Sequence, residues 1–324
     1  MGLGGGQVLG TATVRTMARR AGAVAAVNGG FFVRDRHDGQ PGSLVGYSAR
    51  HGLLLHEALP ARCCLWIGRK GFRIAPVQAG LTVVAGDGAS YRIDGIDRTP
   101  GRVRDLGLHG DLAHDHTRRV TSDMVLFNRG FGASTLAGPG VEAVLNQGGR
   151  VTSIRRRGGH IPCYGQVVAG IGQAATWLRR HGLSGLRVPT ADVWDAINGG
   201  PWLVRQGRVA VDDQAEGFDR PFSRRRTART LAGITRTGHL LLVVVDGKRP
   251  DWSVGVTFEE AARLMQSLGA WDAMGLDGGG SSTMVVEDRL ANRPADPGGE
   301  RSVADALLIY AAGWPSAGSM PSKR

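Results

Sequence analysis

The sequence predicts a single domain of mixed α/β (α+β) structure, in which a mixed sheet carries glycine-rich loops at the ends of its strands. The 324 residues are enough for a sizeable core, and 42% of them are hydrophobic. This domain is expected to cover residues 1–314, followed by a flexible tail at residues 315–324. Two observations support the fold class: a strand–helix–strand order near the C-terminus, and a short phrase that recurs three times.

The strand–helix–strand order is the clearest pattern in the chain. The continuous apolar run Leu240–Val245 predicts a fully buried strand. Thr257 and Glu260 have capping-box spacing at the start of an amphipathic helix that Gly269 ends. A second strand is expected at residues 272–276.

Each of these two strands is followed by an aspartate, Asp246 after the first and Asp277 after the second. If the strands are parallel neighbours, both carboxylates lie at one edge of the sheet, where ligands of open α/β sheets bind. The remaining elements are expected as helices at residues 14–21 and 173–181, and as strands at residues 123–127, 141–145, 151–154, 283–286 and 306–310.

The recurring phrase is an apolar run, then Asn or Asp, then two or more glycines. Its three copies end in Asn28-Gly29-Gly30, Asn198-Gly199-Gly200 and Asp277-Gly278-Gly279-Gly280. Each predicts a buried strand that stops at a small polar side chain, where the backbone makes a turn that glycine tolerates. The irregular spacing excludes a solenoid, and the copies are expected to be related corners that converge on one place.

The third corner continues into Ser281 and Ser282 and is the strongest functional signal. Three successive glycines permit a nest of backbone N–H groups that favours an oxyanion or a phosphate. The two serines add hydroxyl groups, and Asp277 could act as an acid or base or hold a cation such as Ca²⁺ or Mg²⁺. A glycine hairpin without chemistry is the alternative.

Further polar residues stand where strands begin or end. Arg229, beside Thr230 at the start of an apolar run, could clamp a phosphate through bidentate contacts. Asn28 and Asn198 could bind sugar hydroxyls or simply cap turns. A histidine group at positions 109, 114 and 116 fits no standard metal spacing.

The composition narrows the class of partner. The chain has 40 Lys and Arg against 28 Asp and Glu, a net charge of +12, which indicates either an anionic partner or a genome that favours Arg codons. The charges are scattered and no nucleic-acid-binding signature accompanies them, so a nucleic-acid partner is not expected. No stretch has the apolar length of a transmembrane helix, and the N-terminus has no signal-peptide pattern.

Taken in order, these phrases resemble the phosphodiester glycosidase family. The segments that carry the resemblance are residues 27–32, 198–201, 229–230, 245–249, 257–260 and 276–284. The resemblance implies a hydrolase that cleaves a sugar-1-phosphodiester, releases the sugar and leaves a phosphomonoester. It also implies a phosphate-containing glycan as partner, in the cell wall or an exopolysaccharide, and a secreted or extracytoplasmic location, although a cytoplasmic one stays open.

The resemblance also suggests roles for residues of this chain. Asp277, Asp246 and Arg229 are expected to be catalytic. The expected substrate-binding residues are Asn28, Gly29, Gly30, Asn198, Gly199, Thr230, Gly278, Gly279, Gly280, Ser281 and Ser282. No cofactor is assigned beyond the Ca²⁺ or Mg²⁺ named above, and the metal requirement and oligomeric state stay open. The alternative function is a non-catalytic module that binds a glycan or an anionic polymer.

Overall fold

The computed structural model describes residues 1–311 except 7, 35–40, 60, 78–79, 106–115, 189–193, 212 and 219. The tail prediction for residues 315–324, and the histidines at positions 109 and 114, lie outside this part of the chain. No helix in the described part has both the length and the apolar character needed to cross a bilayer.

The described residues form four α-helices and many short strands. The helices are α1 (Val14–Ala21), α2 (Gln173–His181), α3 (Arg220–Arg224) and α4 (Phe258–Ser267). The strands are β1 (Gly2–Leu3), β2 (Ala25–Asn28), β3 (Ser48–Arg50), β4 (Leu53–His56), β5 (Cys63–Gly68), β6 (Gly71–Pro76), β7 (Leu81–Ala85), β8 (Ser90–Ile93), β9 (Gly95–Ile96), β10 (Arg102–Asp105), β11 (His116–Arg119), β12 (Asp123–Phe127), β13 (Val141–Leu145), β14 (Val151–Arg156), β15 (Gln166–Ile171), β16 (Leu186–Arg187), β17 (Asp195–Asn198), β18 (Trp202–Arg205), β19 (Arg208–Val209), β20 (Arg229–Thr235), β21 (Leu240–Val245), β22 (Ala270–Gly275), β23 (Met284–Val286), β24 (Arg289–Leu290) and β25 (Asp305–Ile309).

The strands assemble into several small sheets. Their orders are β1-β25-β2-β23-β24, β14-β13-β15-β12-β9, β4-β3-β17-β5-β6, β19-β18-β22-β20-β21, β16-β7-β8 and β10-β11. In the second of these, β9 runs parallel to β12 while β15 runs antiparallel to it, so this sheet is mixed. The predicted α+β class with a mixed sheet is therefore confirmed.

The predicted strand–helix–strand unit is β21, α4 and β22, but its two strands are not neighbours. Strand β20 lies between them and pairs antiparallel with both. Two strands antiparallel to a common neighbour run in the same direction, so the carboxyl ends that precede Asp246 and Asp277 still share one edge. The expectation of full burial for β21 was wrong, because this strand is at the border of its sheet and is only half-buried.

Helix α4 begins as its sequence predicts. The Thr257 hydroxyl accepts from the Glu260 N–H, and the Glu260 carboxylate accepts from the Thr257 N–H. Gly269 follows the helix with a φ of 85°, a conformation that glycine adopts without strain. Phe258, Ala261, Ala262 and Met265 are buried against the sheet of β20 and β22.

One apolar core lies beneath all three glycine corners. Val27 of β2, Ile197 of β17 and Met274 of β22 belong to the same buried cluster. These strands come from three different sheets, and each ends at one of the corners predicted from the sequence. Packing of the three sheets on a common core therefore brings the three corners together.

Candidate active site at three glycine corners

The Asp277 loop (residues 277–282) follows β22 and is held by two other strands. Leu276 N donates to Thr230 O of β20 at 2.8 Å, and Asp277 N donates to Gly29 O beyond β2 at 3.1 Å. A 3₁₀ turn, Gly279–Ser281, follows, with a φ of 61° at Gly279. The loop is thus anchored on both sides before any ligand contacts it.

The N–H groups of this loop do not form the predicted nest. Gly278 N donates to the Asp277 carboxylate and Gly279 N to Ala228 O, at 2.9 and 2.7 Å. The N–H groups of Ser281 and Ser282 close the 3₁₀ turn. Because the N–H groups of residues 278, 279, 281 and 282 already donate within the protein, an anion at this loop would rely mainly on side chains.

Asn28 connects the first corner to the third. Its Nδ2 donates to Asp277 O at 2.7 Å, while its Oδ1 accepts from Thr230 Oγ1 at 2.6 Å and from Thr283 N at 3.1 Å. Asn28 and Thr230 are both fully buried. The structure therefore places these two predicted substrate ligands beneath the loop, with their polar atoms engaged in holding it.

Asn198 connects the second corner to the first. Its Oδ1 accepts from Phe31 N at 2.8 Å, and its Nδ2 donates to Ser48 Oγ at 3.1 Å. A Cβ at Gly30 would lie 2.4 Å from Asn198 O, so only glycine permits this approach. Gly199 is packed equally closely, against Met274 and Gly275 of β22.

The Asp277 carboxylate is an ionisable group at this junction. Burial raises its pKa to about 6, against the opposing effects of the Ser281 hydroxyl, Arg301 and Arg34. The residue still keeps some exposed surface. A carboxyl group whose pKa lies near neutrality is suited to proton transfer.

Four basic side chains, here called the cationic rim, act on Asp277 or on Lys248 beside the Asp277 loop: Arg34, Arg225, Arg301 and Lys248 itself. Lys248 Nζ would lie 3.4 Å from a Cβ at Gly279. The Lys248 pKa is lowered by burial and by the charges of Arg225, Arg301 and Arg34. A cation whose neighbours disfavour its charge marks a region of positive potential, which favours an anion.

Hydrogen bonds fix the orientation of Arg301, one member of this rim, relative to the Asp277 loop. It forms a bidentate pair with Asp296, at 2.7 and 2.9 Å, and its third nitrogen lies 3.5 Å from Ser281 Oγ. Gly280 makes room for this pair, because a Cβ there would lie 2.1 Å from Arg301 Nη2. The side chain of Arg301 is therefore fixed against the loop.

Arg229 occupies a different position from the one its sequence context suggests. It is 2% exposed, and its guanidinium lies 3.7 Å from the Phe258 ring centroid. Its Nη2 donates to the carbonyls of Phe222 and Arg225. Burial and the charge of Arg225 lower its pKa to about 10, while the charge of Asp277 raises it. Arg229 thus supports the loop from below.

Asp246 is also engaged by neighbouring groups. Its Oδ2 accepts from Trp252 Nε1 at 2.8 Å, and its Oδ1 accepts from Asn292 Nδ2 and Arg293 N. Asn292 in turn donates to Ser282 O at 3.1 Å. The carboxylate therefore joins two loops at the sheet edge.

Sequence reasoning missed Asp305, a second carboxylate beside the site. Its Oδ1 accepts from Gly30 N at 3.0 Å, and a Cβ at Gly29 would lie 2.4 Å from it. Burial and the charge of Asp277 raise its pKa to about 7. The sequence did contain a signal for Asp305, which is an aspartate at the start of a predicted buried strand. Such a residue is unusual unless its charge is paired.

Several buried polar atoms next to the Asp277 loop have no hydrogen-bond partner among the described residues. They are Thr227 Oγ1, Ser282 Oγ, Thr283 Oγ1 and Asp305 Oδ2. Buried polar groups are nearly always paired in native proteins. Their concentration beside one loop favours a polar ligand or ordered water at this place.

The donor set does not favour a divalent cation. Among the described residues no group of three or more His, Cys, Asp or Glu side chains has an arrangement that could hold a metal ion. In addition, the positive charges of Arg301 and Arg34 act on the Asp277 carboxylate and disfavour a metal ion beside it. The sequence assigned no certain cofactor, and the Ca²⁺ or Mg²⁺ that it left open does not fit the described residues.

Comparison with known proteins gives both sequence and structural relatives. N-acetylglucosamine-1-phosphodiester alpha-N-acetylglucosaminidase of Bos taurus is 32% identical over 109 residues, which is 31% of this chain and 20% of that protein. The chain thus spans about a fifth of this curated relative.

Two solved structures share the fold. A Burkholderia pseudomallei protein named for its expected export has a TM-score of 0.74 and 28% identity, covering 96% of this chain and 70% of its own. A Synechocystis protein has a TM-score of 0.68 at 21% identity, covering 93% of this chain and 54% of its own. The sequence profile described as phosphodiester glycosidase matches residues 139–310. Because this match covers more than half of the chain, the protein belongs to the phosphodiester glycosidase family.

Proposed function

We propose that this protein is a hydrolase that cleaves a sugar-1-phosphodiester at the Asp277 loop, releasing the sugar and leaving a phosphomonoester. The observation that carries the proposal is the position of the Asp277 carboxylate within the cationic rim. Lys248, Arg225 and Arg301 supply positive charge for the phosphate, and Asp277 supplies a group that exchanges a proton near neutral pH. Membership of the family supports the same reaction class.

In this mechanism the bond between the anomeric carbon and the phosphate oxygen breaks, and the phosphate keeps the electron pair. The rim stabilises the charge that develops on the departing phosphomonoester. A water molecule adds its oxygen to the anomeric carbon and loses a proton to ionised Asp277. Hydrogen bonds from the side chains of Asn28, Thr230 and Asn198 hold the three glycine corners together. The close contacts between the corners require glycine at positions 29, 30 and 199.

We further propose that the substrate is a phosphate-containing glycan of the cell wall or an exopolysaccharide, met outside the cytoplasm. The net charge of +12 suits an anionic polymer. The export expected of the Burkholderia pseudomallei relative supports the location.

The test is turnover by the purified chain. A nucleoside-diphosphate sugar and an aryl sugar-1-phosphodiester are incubated with it, with and without a chelator. Free sugar is measured together with the second product, which is the nucleoside diphosphate for the first substrate and the aryl phosphate for the second. We expect the two products in equal amounts and no loss of rate with the chelator. Binding of these diesters without turnover would instead support the glycan- or polymer-binding module.

Alanine at Gly280 is expected to weaken substrate binding without unfolding the protein. The new Cβ collides with the far end of Arg301 and with Asp296 Oδ1, at 2.1 and 2.2 Å, and both are side chains that can move. Losing one charge-assisted contact to the phosphate should raise KM about tenfold. Gly298→Ala is the matched control, because a Cβ there has no atom within 4 Å. An unchanged KM in Gly280→Ala would remove Arg301 from the phosphate site.

A further inference from the structure

The loop that connects β21 to α4 holds an exposed indole ring beside the Asp277 loop. Trp252 is 55% exposed, although it is a large hydrophobic side chain. Lys248 of the cationic rim belongs to the same loop and approaches Gly279. The ring is therefore a neighbour of the proposed phosphate site.

Two groups fix the orientation of this ring. Trp252 Nε1 donates to Asp246 Oδ2 at 2.8 Å, and the Arg293 guanidinium lies 3.7 Å from a ring centroid of the indole. Asp246 Oδ1 accepts from the Arg293 backbone N–H at 3.0 Å. One carboxylate thus holds both the edge of the indole and the residue that stacks on its face.

The same carboxylate ties the indole to the Asp277 loop. Asn292 Nδ2 donates to Asp246 Oδ1 and to Ser282 O, each at 3.1 Å. Asn292 Oδ1 accepts from Met284 N at 2.8 Å. The position of the ring relative to the Asp277 loop is therefore set by three successive hydrogen bonds, from Trp252 to Asp246, from Asn292 to Asp246 and from Asn292 to Ser282.

Fixing an exposed indole costs side-chain entropy and buries little apolar surface. Arg293 covers one face of the ring, and the residue is nevertheless 55% exposed. A flat aromatic face next to a polar site fits the C–H face of a pyranose ring, which is apolar while its edge carries hydroxyl groups. Such a fixed ring also binds its ligand without a further loss of rotamer freedom.

We propose that Trp252 is the platform for a sugar ring on the far side of the phosphodiester from the sugar that is released. Lys248, which contacts the phosphate in the proposed function, precedes Trp252 in the same loop. The hydrogen bonds through Asp246 and Asn292 tie the indole to Ser282, so the ring is placed to contact a sugar esterified to that phosphate. This inference rests on the proposed function and deepens it, because it assigns a residue that selects the group esterified on the far side of the phosphate. Asp246 is then a positioning residue and not a catalytic one.

Two diesters of the same sugar-1-phosphate test the platform, one esterified to methanol and the other to a hydroxyl group of a hexopyranose. The measured quantity is the ratio of kcat/KM for the hexopyranosyl diester to that for the methyl diester. In Trp252→Ala this ratio should fall about tenfold, the size of a good aromatic contact. Trp252→Phe should keep most of the ratio. Trp194→Ala, which removes an exposed indole next to the opposite end of β17 from Asn198, should keep all of it. An unchanged ratio in Trp252→Ala would overturn the proposal.

Asp246→Asn separates positioning from catalysis. The amide cannot accept from both Trp252 and the Asn292–Arg293 pair, so a positioning role predicts a fall in the same ratio. If Asp246 were catalytic, kcat would fall equally for both diesters and the ratio would stay constant, which would overturn this assignment.

A binding measurement keeps the platform testable if the wild-type chain hydrolyses neither diester, an outcome that would overturn the proposed function alone. Calorimetry then compares the affinity of the hexopyranosyl diester for the wild type and for Trp252→Ala. An affinity about tenfold lower in the variant supports the platform. Equal affinity, or no binding by the wild type, overturns it.

Discussion

Asp277→Asn is expected to lower kcat on a sugar-1-phosphodiester by at least about 100-fold, the lower range of a general acid–base contribution. Asparagine keeps the shape of the side chain and can still accept from Gly278 N, so the loop should stay folded. It cannot take a proton from water. Circular dichroism and thermal unfolding check the fold, and initial rates of sugar release give kcat.

Asp272→Asn is the matched control for this substitution. Asp272 lies on the same strand, β22, but near its start, where it accepts from Gln206 N. Its replacement should leave kcat within about twofold, as for surface changes away from a site. A folded Asp277→Asn variant with wild-type kcat would exclude Asp277 from the mechanism.

The pH profile of the wild type tests the same role of Asp277, and the direction in which kcat/KM changes with pH distinguishes a general base from a general acid. The pKa of Asp277 is raised to about 6, so the carboxylate is ionised at neutral pH and protonated below that value. For a general base, kcat/KM should therefore fall about tenfold per pH unit below pH 6. A fall above pH 6 instead would identify Asp277 as a general acid.

The sequence was sufficient to predict the frame of the site. Asn28, Asn198 and Asp277 each end an apolar run before glycine, and the structure brings all three corners together. These corners could be predicted because a buried strand followed by a glycine turn is specified by residues that are adjacent in sequence. The capping box of Thr257 and Glu260 also depends on residues close in sequence, and the structure forms it.

The chemistry of individual side chains was harder to predict, because it depends on partners that are distant in sequence. Asp246 looked like a second reactive carboxylate, but Asn292 and Arg293, 46 and 47 positions away, occupy one of its oxygens. The sequence context of Arg229 suggested a phosphate clamp, but in the structure its guanidinium stacks on the ring of Phe258. Residues far along the chain decide whether a polar group is free to bind a ligand.

Asp305 gives the second large expected effect, which concerns stability. Its side chain is fully buried, with one N–H donor at Oδ1 and, in the part of the chain that the structure describes, no partner at Oδ2. Burial and the charge of Asp277 raise its pKa to about 7, whereas in the unfolded chain it ionises near pH 4. The folded protein therefore keeps a proton that the unfolded chain has already lost, and the free energy of unfolding falls as the pH rises from about 4 to 7.

Asp305→Asn removes this dependence on pH, since asparagine does not ionise. The free energy of unfolding of the variant, relative to the wild type, should rise by about 2–3 kcal/mol between pH 5 and pH 8. Urea unfolding at several pH values measures this difference, and comparing one protein pair across pH cancels any fixed cost of the amide. Asp288→Asn is the control, because Arg19 lowers the pKa of Asp288 and the carboxylate is ionised in both states throughout this range. A flat difference for Asp305→Asn would mean that Asp305 is already ionised in the folded protein at pH 5, with a cation or water compensating its charge.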